Sequence, residues 1–162
     1  MRSSADEATL LGPIATEHRY EFPVDRPAVW ALISDVDAYQ GWWPWLRRFE
    51  AGGLAAGEEW RCEVQPPLPY AVRFRVLVDQ VEASLEVWAR IEGDVVGTAL
   101  LTLEEHHDGC VAQLVSVLAP GTKILRIFSL LAPPVARFGH DWVLDSGARQ
   151  FIARAVTPSL HE

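Results

Sequence analysis

Residues 70–79, YAVRFRVLVD, carry a large apolar side chain at every second position from Tyr70 to Val78. Arg73, Arg75 and Asp79 lie between them and face the other way. A period of two residues is typical of a β-strand with one buried and one solvated face. We therefore predict a half-buried strand here, with both arginines on its outer face unless a bulge near residues 66–69 reverses the register.

The same alternation recurs on both sides of this segment, at residues 17–24, 58–65, 85–91 and 99–103. Residues 111–118 are apolar on both faces, so the pattern does not decide which side of that strand points inward. Turn-forming residues separate the strands at 51–57, 66–69, 93–94 and 107–109. Short links between successive strands predict an antiparallel meander.

Helical signals flank these strands. Asp25 can cap a helix that has Pro27 in its first turn, and the residues near Asp35 end it early, before a second short helix. After residue 121 the period becomes helical, with an apolar stripe over residues 124–131. Pro133-Pro134 must break this segment, and a long amphipathic helix follows to about residue 156. Its predicted inner stripe is Val135, Phe138, Trp142, Asp145, Ala148 and Ile152.

A sheet with one apolar face must be covered, and the long C-terminal helix is the only element large enough to cover it. The order of elements therefore predicts an α+β helix-grip fold. In this fold a curved antiparallel sheet of about seven strands wraps around the C-terminal helix, and two short helices follow the first strand. We expect residues 1–14 to be a flexible tail and residues 15–157 to form a single ligand-binding domain with a pocket between sheet and helix.

Charge and composition argue against several classes of protein. The formal net charge of −8 disfavours nucleic acid and anionic lipid as partners. Cys62 and Cys110 form neither a disulfide framework nor a zinc motif, and we expect no cofactor and no metal. No segment has the length and apolar character of a signal peptide or a membrane span, so we expect no membrane insertion and a cytoplasmic location.

Several segments carry a resemblance to a known superfamily. They are residues 20–30 (YEFPVDRPAVW) with Ser34-Asp35, Trp42-Trp43-Pro44, residues 93–97 (GDVVG), residues 101–109, and Phe138-Gly139-His140-Asp141 with Gly147. Over residues 16–156 the chain resembles the SRPBCC superfamily, which includes START domains, birch-pollen-allergen-like proteins, and polyketide cyclases and aromatases. The closing helix resembles bacterial members labelled polyketide cyclase/dehydrase-like. These motifs are mostly structural, so the resemblance implies the fold more strongly than a function.

Aromatic and aliphatic residues on the predicted inner faces are the candidate walls of the pocket. We assign this role to Trp43, Trp60, Tyr70, Phe74, Val87, Leu101, Phe138 and Trp142. Trp42, Trp43 and Trp45 lie in a proline-containing loop that could form a lid over the pocket or a plug at the end of the sheet.

Few titratable residues fall on those inner faces. Asp145, His140 and His18 are the candidates for acid–base chemistry, and a buried Asp145 would need a hydrogen-bond donor such as Tyr20 or a ligand group. Residues 106–108 (HHD) have metal-ligand side chains, but their position before a glycine favours a solvated hairpin.

Three functions fit these patterns. The first is the binding or transport of a small hydrophobic or aromatic molecule, which the scarcity of inward polar groups favours. The second is a cyclase, aromatase or dehydratase for a polyketide-like substrate, with Tyr70 as a further candidate. The third is a protein-interaction module that uses the tryptophan cluster. The sequence leaves the oligomeric state open, with a dimer as one option.

Overall fold

A computed structural model describes residues 13–67, 70–122 and 133–156, with side chains described for all of these except residues 133–140 and 156. Its strands are β1 (Ile14–Phe22), β2 (Leu46–Glu50), β3 (Glu59–Val64), β4 (Val72–Glu82), β5 (Glu86–Gly93), β6 (Val95–His106) and β7 (Gly109–Pro120). Its helices are α1 (Arg26–Ser34), a 3₁₀ turn (Val36–Ala38), α2 (Tyr39–Trp42) and α3 (Pro133–Val156).

The seven strands form one antiparallel sheet in the order β1-β7-β6-β5-β4-β3-β2. Strands β2 to β7 follow one another as hairpins, and β1 pairs along β7 from Ile14 opposite Leu118 to Phe22 opposite Cys110. The sheet and the long helix α3 together confirm the α+β helix-grip fold. The predicted stripe at residues 124–131 lies outside the described residues. Residues 1–12 of the predicted tail do so as well, and β1 begins at Ile14.

Local sequence explains where the first helices begin and end. The Asp25 carboxylate accepts a hydrogen bond from the Ala28 backbone N–H at 3.0 Å, which satisfies a free donor at the start of α1. Pro27 lies in the first turn, where its missing N–H costs nothing. Val29 and Ile33 are buried, as their three- to four-residue spacing predicts. α1 stops at Ser34, and the shorter α2 follows after the 3₁₀ turn.

Period-two burial explains the sheet. Arg73 and Arg75 lie on the outer face, where they pair with the carboxylates of Glu63, Glu59 and Glu92. On β7 the inward side is now defined: Ser116 is buried, whereas Val115 and Val117 are each 37% exposed. The even-numbered residues of β7 therefore face the concave side of the sheet.

Among the described residues, the packed core falls into two clusters that share one residue of α3. The first groups Phe22, Val29, Ile33, Leu103, Cys110 and Ala112, and the second groups Val36, Tyr39, Trp43, Leu46 and Val64. Phe151 packs against both clusters, so the C-terminal half of α3 is held by aromatic and aliphatic contacts. Among the described residues, no helix combines the length and apolar character needed to cross a membrane.

Candidate functional site

A cavity of about 300 Å³ lies between the concave face of the sheet and α3. Six of the strands, the segments beside them and the helix contribute its walls. The described lining residues are Ile14, Val64, Pro66, Tyr70, Val72, Phe74, Ile91, Val95, Ala99, Leu114, Ser116, Leu118, Ala119, Pro120, Val143 and Leu144. The cavity lies at the end of the sheet that contains the beginnings of β4 and β6 and the ends of β5 and β7.

The described lining is almost entirely apolar. Its side-chain polar groups are the hydroxyls of Tyr70 and Ser116. The Ser116 Oγ lies 2.8 Å from the Thr16 Oγ1 on β1, and burial raises the pKa of the Tyr70 phenol above its ordinary value. No carboxylate, imidazole or guanidinium is among the described residues that line the cavity. The cavity can therefore desolvate an apolar molecule and offer it hydroxyl contacts, but not a conventional acid–base pair.

The loop after β3 is held at the edge of the cavity by a glutamine. Gln65 Nε2 donates to the Tyr70 carbonyl at 3.0 Å and to the Pro66 carbonyl at 3.2 Å. Pro66 and Tyr70 both line the cavity. Gln65 thus fixes the two ends of the loop that carries part of the cavity wall.

The structure brings together only some of the predicted wall residues. Tyr70 and Phe74 line the cavity, as noted above. Val87 and Leu101 pair with each other across β5 and β6, farther along the sheet, and Leu101 packs against the cluster around Phe22. The cavity occupies one end of the sheet, so a residue on the correct face can still lie beyond it.

The tryptophans of the second core cluster are not among the described residues that line the cavity. Trp43 is 8% exposed, stacks on Trp45 with ring centroids 5.3 Å apart, and makes a T-shaped contact with Phe151 at 4.7 Å. Trp60 Nε1 donates to the Gly53 carbonyl at 2.8 Å, and its ring packs against Phe49. Trp43 therefore packs between α2 and α3, whereas Trp42 and Trp45 are half-buried.

The face that α3 turns toward the cavity differs from the predicted stripe. Val143 and Leu144 line the cavity, whereas Trp142 contacts Trp45 with ring centroids 6.3 Å apart. Asp145, which we expected on the inner stripe, is on the solvent side with 54% of its side chain exposed. The side chains of Phe138 and His140 lie outside the described residues. Between Asp141 and Asp145 the sequence has three successive apolar residues, at 142–144, and it does not show which of them face the cavity.

A polar cluster forms where β1 meets the outer side of α3. Tyr20 donates from its hydroxyl to Asp145 Oδ1 at 3.2 Å, so the suggested Tyr20 donor is present although Asp145 is not buried. His18 Nδ1 lies 3.7 Å from Asp145 Oδ1, and His18 Nε2 lies 3.5 Å from Asp141 Oδ1. Desolvation, followed by the charge of Asp145, raises the pKa of the Tyr20 phenol far above its ordinary value.

This cluster borders a cleft of about 470 Å³ that is separate from the apolar cavity. Tyr20, Asp141 and Asp145 line the cleft, and none of them is among the described residues around the cavity. The catalytic candidates Asp145 and His18 therefore meet one another, but they do not face the enclosed apolar space.

The predicted hairpin at residues 106–108 joins β6 to β7. His106, His107 and Asp108 are all exposed, and one potential ligand atom from each lies within 4.8 Å of the others. His107 Nε2 is 3.0 Å from Asp108 Oδ2, so these side chains already interact on a solvated turn.

No family model matches this sequence, and no curated protein matches it. Solved structures do. TTHA0849 from Thermus thermophilus has a TM-score of 0.73 at 14% identity, covering 91% of this chain and 99% of that one. Ara h 8.0201 has a TM-score of 0.68 at 10% identity, covering 90% of this chain and 99% of that one.

A third similar structure is the di-domain ARO/CYC BexL from the BE-7585A biosynthetic pathway. Its TM-score is 0.73 at 10% identity, over 94% of this chain and 53% of that one. These similarities confirm that the chain has a helix-grip fold. At such low identities they show the fold alone.

Proposed function

We propose that this protein binds a small apolar or aromatic molecule in the cavity between the sheet and α3, as a carrier or a sensor. The observation that carries the proposal is an apolar cavity of about 300 Å³ with two hydroxyl side chains among its described lining residues. That volume is at the lower end of the roughly 300–1,000 Å³ typical of small-molecule sites. The ligand class is therefore small, with one or two rings or a short chain.

The chemistry of the lining favours binding over catalysis. Acid–base catalysis needs titratable groups that converge on one reacting atom. In the part of the chain that the structure describes, Tyr70 is the titratable residue lining the cavity, and burial shifts the pKa of its phenol upward, away from neutral pH. The titratable residues Tyr20, Asp141 and Asp145 instead border the separate cleft.

The expected affinity is modest. Burial of apolar ligand surface contributes about 25 cal/mol per Å², so a ligand that buries roughly 200 Å² gains about 5 kcal/mol. The cost of immobilising the ligand offsets part of this gain, so the sub-millimolar range is an upper limit on the affinity from apolar burial alone. A ligand that also bonds to the hydroxyls would bind more tightly.

The test uses N-phenyl-1-naphthylamine, a neutral probe that fluoresces when it enters an apolar site. Ala99 lines the cavity from β6, so Ala99→Phe fills part of the space, and we expect it to weaken probe binding by about tenfold or more. The matched control is Val117→Phe, because Val117 is on the outer face of the adjacent strand β7. Both variants are checked for an unchanged far-UV spectrum and cooperative unfolding.

Equal probe affinity in wild type and Ala99→Phe, or loss in Val117→Phe alone, would place the probe outside the cavity and remove the basis of the proposal. Tyr70→Phe and Ser116→Ala then measure what the two hydroxyls contribute to a bound ligand.

A cyclase, aromatase or dehydratase is the second candidate. What supports it is that the hydroxyls of Tyr70 and Ser116 line one cavity, and that BexL, which has the same fold, is described as an ARO/CYC protein. Incubation with a linear poly-β-ketone thioester tests it by mass spectrometry. Loss of water in the product, abolished in Tyr70→Phe, would support the enzyme; recovery of unchanged substrate would oppose it.

A further inference from the structure

A groove of about 610 Å³ lies beside the face of α3 that carries Trp142, Ser146 and Arg149. Residues 44–47, which include the start of β2, and residues 65–67, which follow β3, form its other walls. Its described lining residues are Pro44, Trp45, Arg47, Gln65, Pro66, Pro67, Trp142, Ser146, Arg149 and Gln150. Pro66 also lines the apolar cavity, so the two spaces lie on either side of this residue.

The groove is positively charged, although the protein as a whole has a net charge of −8. Arg47 and Arg149 line it, and no carboxylate is among its described lining residues. In the described part of the chain, six other arginines lie within 4.0 Å of a carboxylate: Arg26, Arg48, Arg61, Arg73, Arg75 and Arg90.

The two groove arginines, like Arg19 and Arg154 elsewhere in the described chain, differ from these six. Neither Arg47 nor Arg149 has a carboxylate oxygen within 4.0 Å among the described residues, although Arg149 also borders the cleft that holds Asp141 and Asp145. Arg149 Nη2 instead makes a 3.3 Å hydrogen bond with Ser146 Oγ. In a chain of net charge −8, two guanidinium groups thus remain available for an anion at the same groove.

The groove also has flat apolar walls, and two polar atoms of its side chains are buried without a hydrogen-bond partner among the described residues. Trp45 and Trp142 meet with their ring planes 72° apart, and proline rings extend the apolar surface. Trp45 Nε1 and Gln150 Oε1 are screened from solvent and have no hydrogen-bond partner among the described residues. Unsatisfied buried polar atoms are uncommon in folded proteins, and here two of them belong to side chains that line one groove.

We propose that this groove is a second binding site, for an aromatic carboxylate. The ring stacks against the tryptophan and proline walls, and the carboxylate pairs with the guanidinium groups of Arg47 and Arg149. Guanidinium groups match the planar geometry of a carboxylate, and they contribute a charge that the apolar cavity lacks. The site is distinct from the cavity, because Pro66 is the described residue that lines both, whereas neither arginine and neither tryptophan of the groove lines the cavity.

The probe is naphthoate, and its neutral analogue is naphthylmethanol. Binding is measured by quenching of tryptophan fluorescence and by calorimetry at low salt. We expect naphthoate to bind about tenfold more tightly than the alcohol and to weaken as salt is added, since exposed ion pairs are screened. Arg47→Gln and Arg149→Gln should each weaken naphthoate severalfold and leave the alcohol unchanged.

Two control variants locate the bound probe. Arg154→Gln changes an exposed arginine of the same helix that is not among the groove residues, so it should leave naphthoate affinity unchanged. Ala99→Phe narrows the apolar cavity and should also leave it unchanged, which separates this site from the proposed function.

Three results would each overturn the inference. The first is no binding of naphthoate to the wild type at millimolar concentration, and the second is equal affinity for the acid and the alcohol. The third is loss of naphthoate binding in Ala99→Phe while both groove arginine variants keep it. Because the replaced arginines are exposed, the variants should fold, and an unchanged melting temperature confirms it.

Discussion

Phe151 is the residue whose removal should most weaken the attachment of α3 to α2 and to the packed core. Its ring lies 4.7 Å from that of Trp43, 5.4 Å from Trp42 and 5.7 Å from Tyr39, all edge to face. Truncation of a core phenylalanine to alanine costs about 3–5 kcal/mol, and each aromatic pair accounts for about 0.5–1.5 kcal/mol of such losses. Phe151 is only partly buried, so we expect Phe151→Ala to cost about 2–4 kcal/mol.

Urea unfolding measures this loss as a lower midpoint with an unchanged slope, and the melting temperature should fall by roughly 5–15 °C. The control is Trp88→Ala, which removes a larger ring that is 41% exposed on the outer face of the sheet. We expect less than about 1 kcal/mol there. If Phe151→Ala cost no more than Trp88→Ala, the aromatic cluster would not be what holds α3 in place.

Three further expectations follow from burial and charge. The raised pKa of the Tyr20 phenol means that the unfolded chain loses this proton near pH 10 while the folded chain keeps it, so stability should fall as pH rises above 10. Tyr20→Phe should flatten that fall in alkaline urea titrations, and an identical slope would contradict the assignment. Burial raises the pKa of the Cys62 thiol to about 12 and also raises that of Cys110, which is 1% exposed. A thiol reagent at pH 8 should therefore label neither cysteine in the folded protein and both in denaturant; rapid labelling of folded protein would show that these sites open. Finally, a Cβ added at Gly97 would collide with the Val117 carbonyl on the neighbouring strand. Gly97→Ala should therefore lower the melting temperature more than Gly41→Ala, where the structure leaves open space, and equal effects would refute the close approach.

Local chemistry made the elements predictable. The alternation of residues 70–79 places Arg73 and Arg75 outside, and the Asp25 cap and Pro133 mark the beginnings of two helices. These signals depend on a few neighbouring residues, so they are readable without the rest of the fold. The order of these elements then led to the helix-grip architecture that the structure has.

The position of the cavity was not readable in the same way. Alternation assigns Val87, Leu101 and Phe74 to the same side of the sheet, but it does not say where along that side the space is filled. The difference arises from long-range packing, because the cluster around Phe22 fills the region beside Leu101 and leaves the region beside Phe74 open. Such packing joins residues from both ends of the chain.

The inward faces of β7 and α3 show the same limit. Residues 111–118 are apolar on both faces, so their sequence does not show which face of β7 points inward. Pairing with β1 defines the inward face, because it places Ser116 opposite Thr16. On α3, Trp142 and Asp145 are three residues apart and therefore fit a helical stripe. The cavity is instead lined by the adjacent residues Val143 and Leu144. Gly147 has Trp43 and Trp45 within 3.8 Å of where its side chain would begin, so both rings pack against α3 one turn from Val143 and Leu144.

The central claim is that an apolar molecule binds between the sheet and α3. The most direct test is a set of nuclear Overhauser contacts between N-phenyl-1-naphthylamine and methyl-labelled protein. We expect contacts from the probe to methyl groups of Val72, Ile91 and Leu144, which line the cavity, and none to Val117 on the outer face. Contacts confined to Val117 or other outer-face methyl groups, with none to the three cavity residues, would contradict the account.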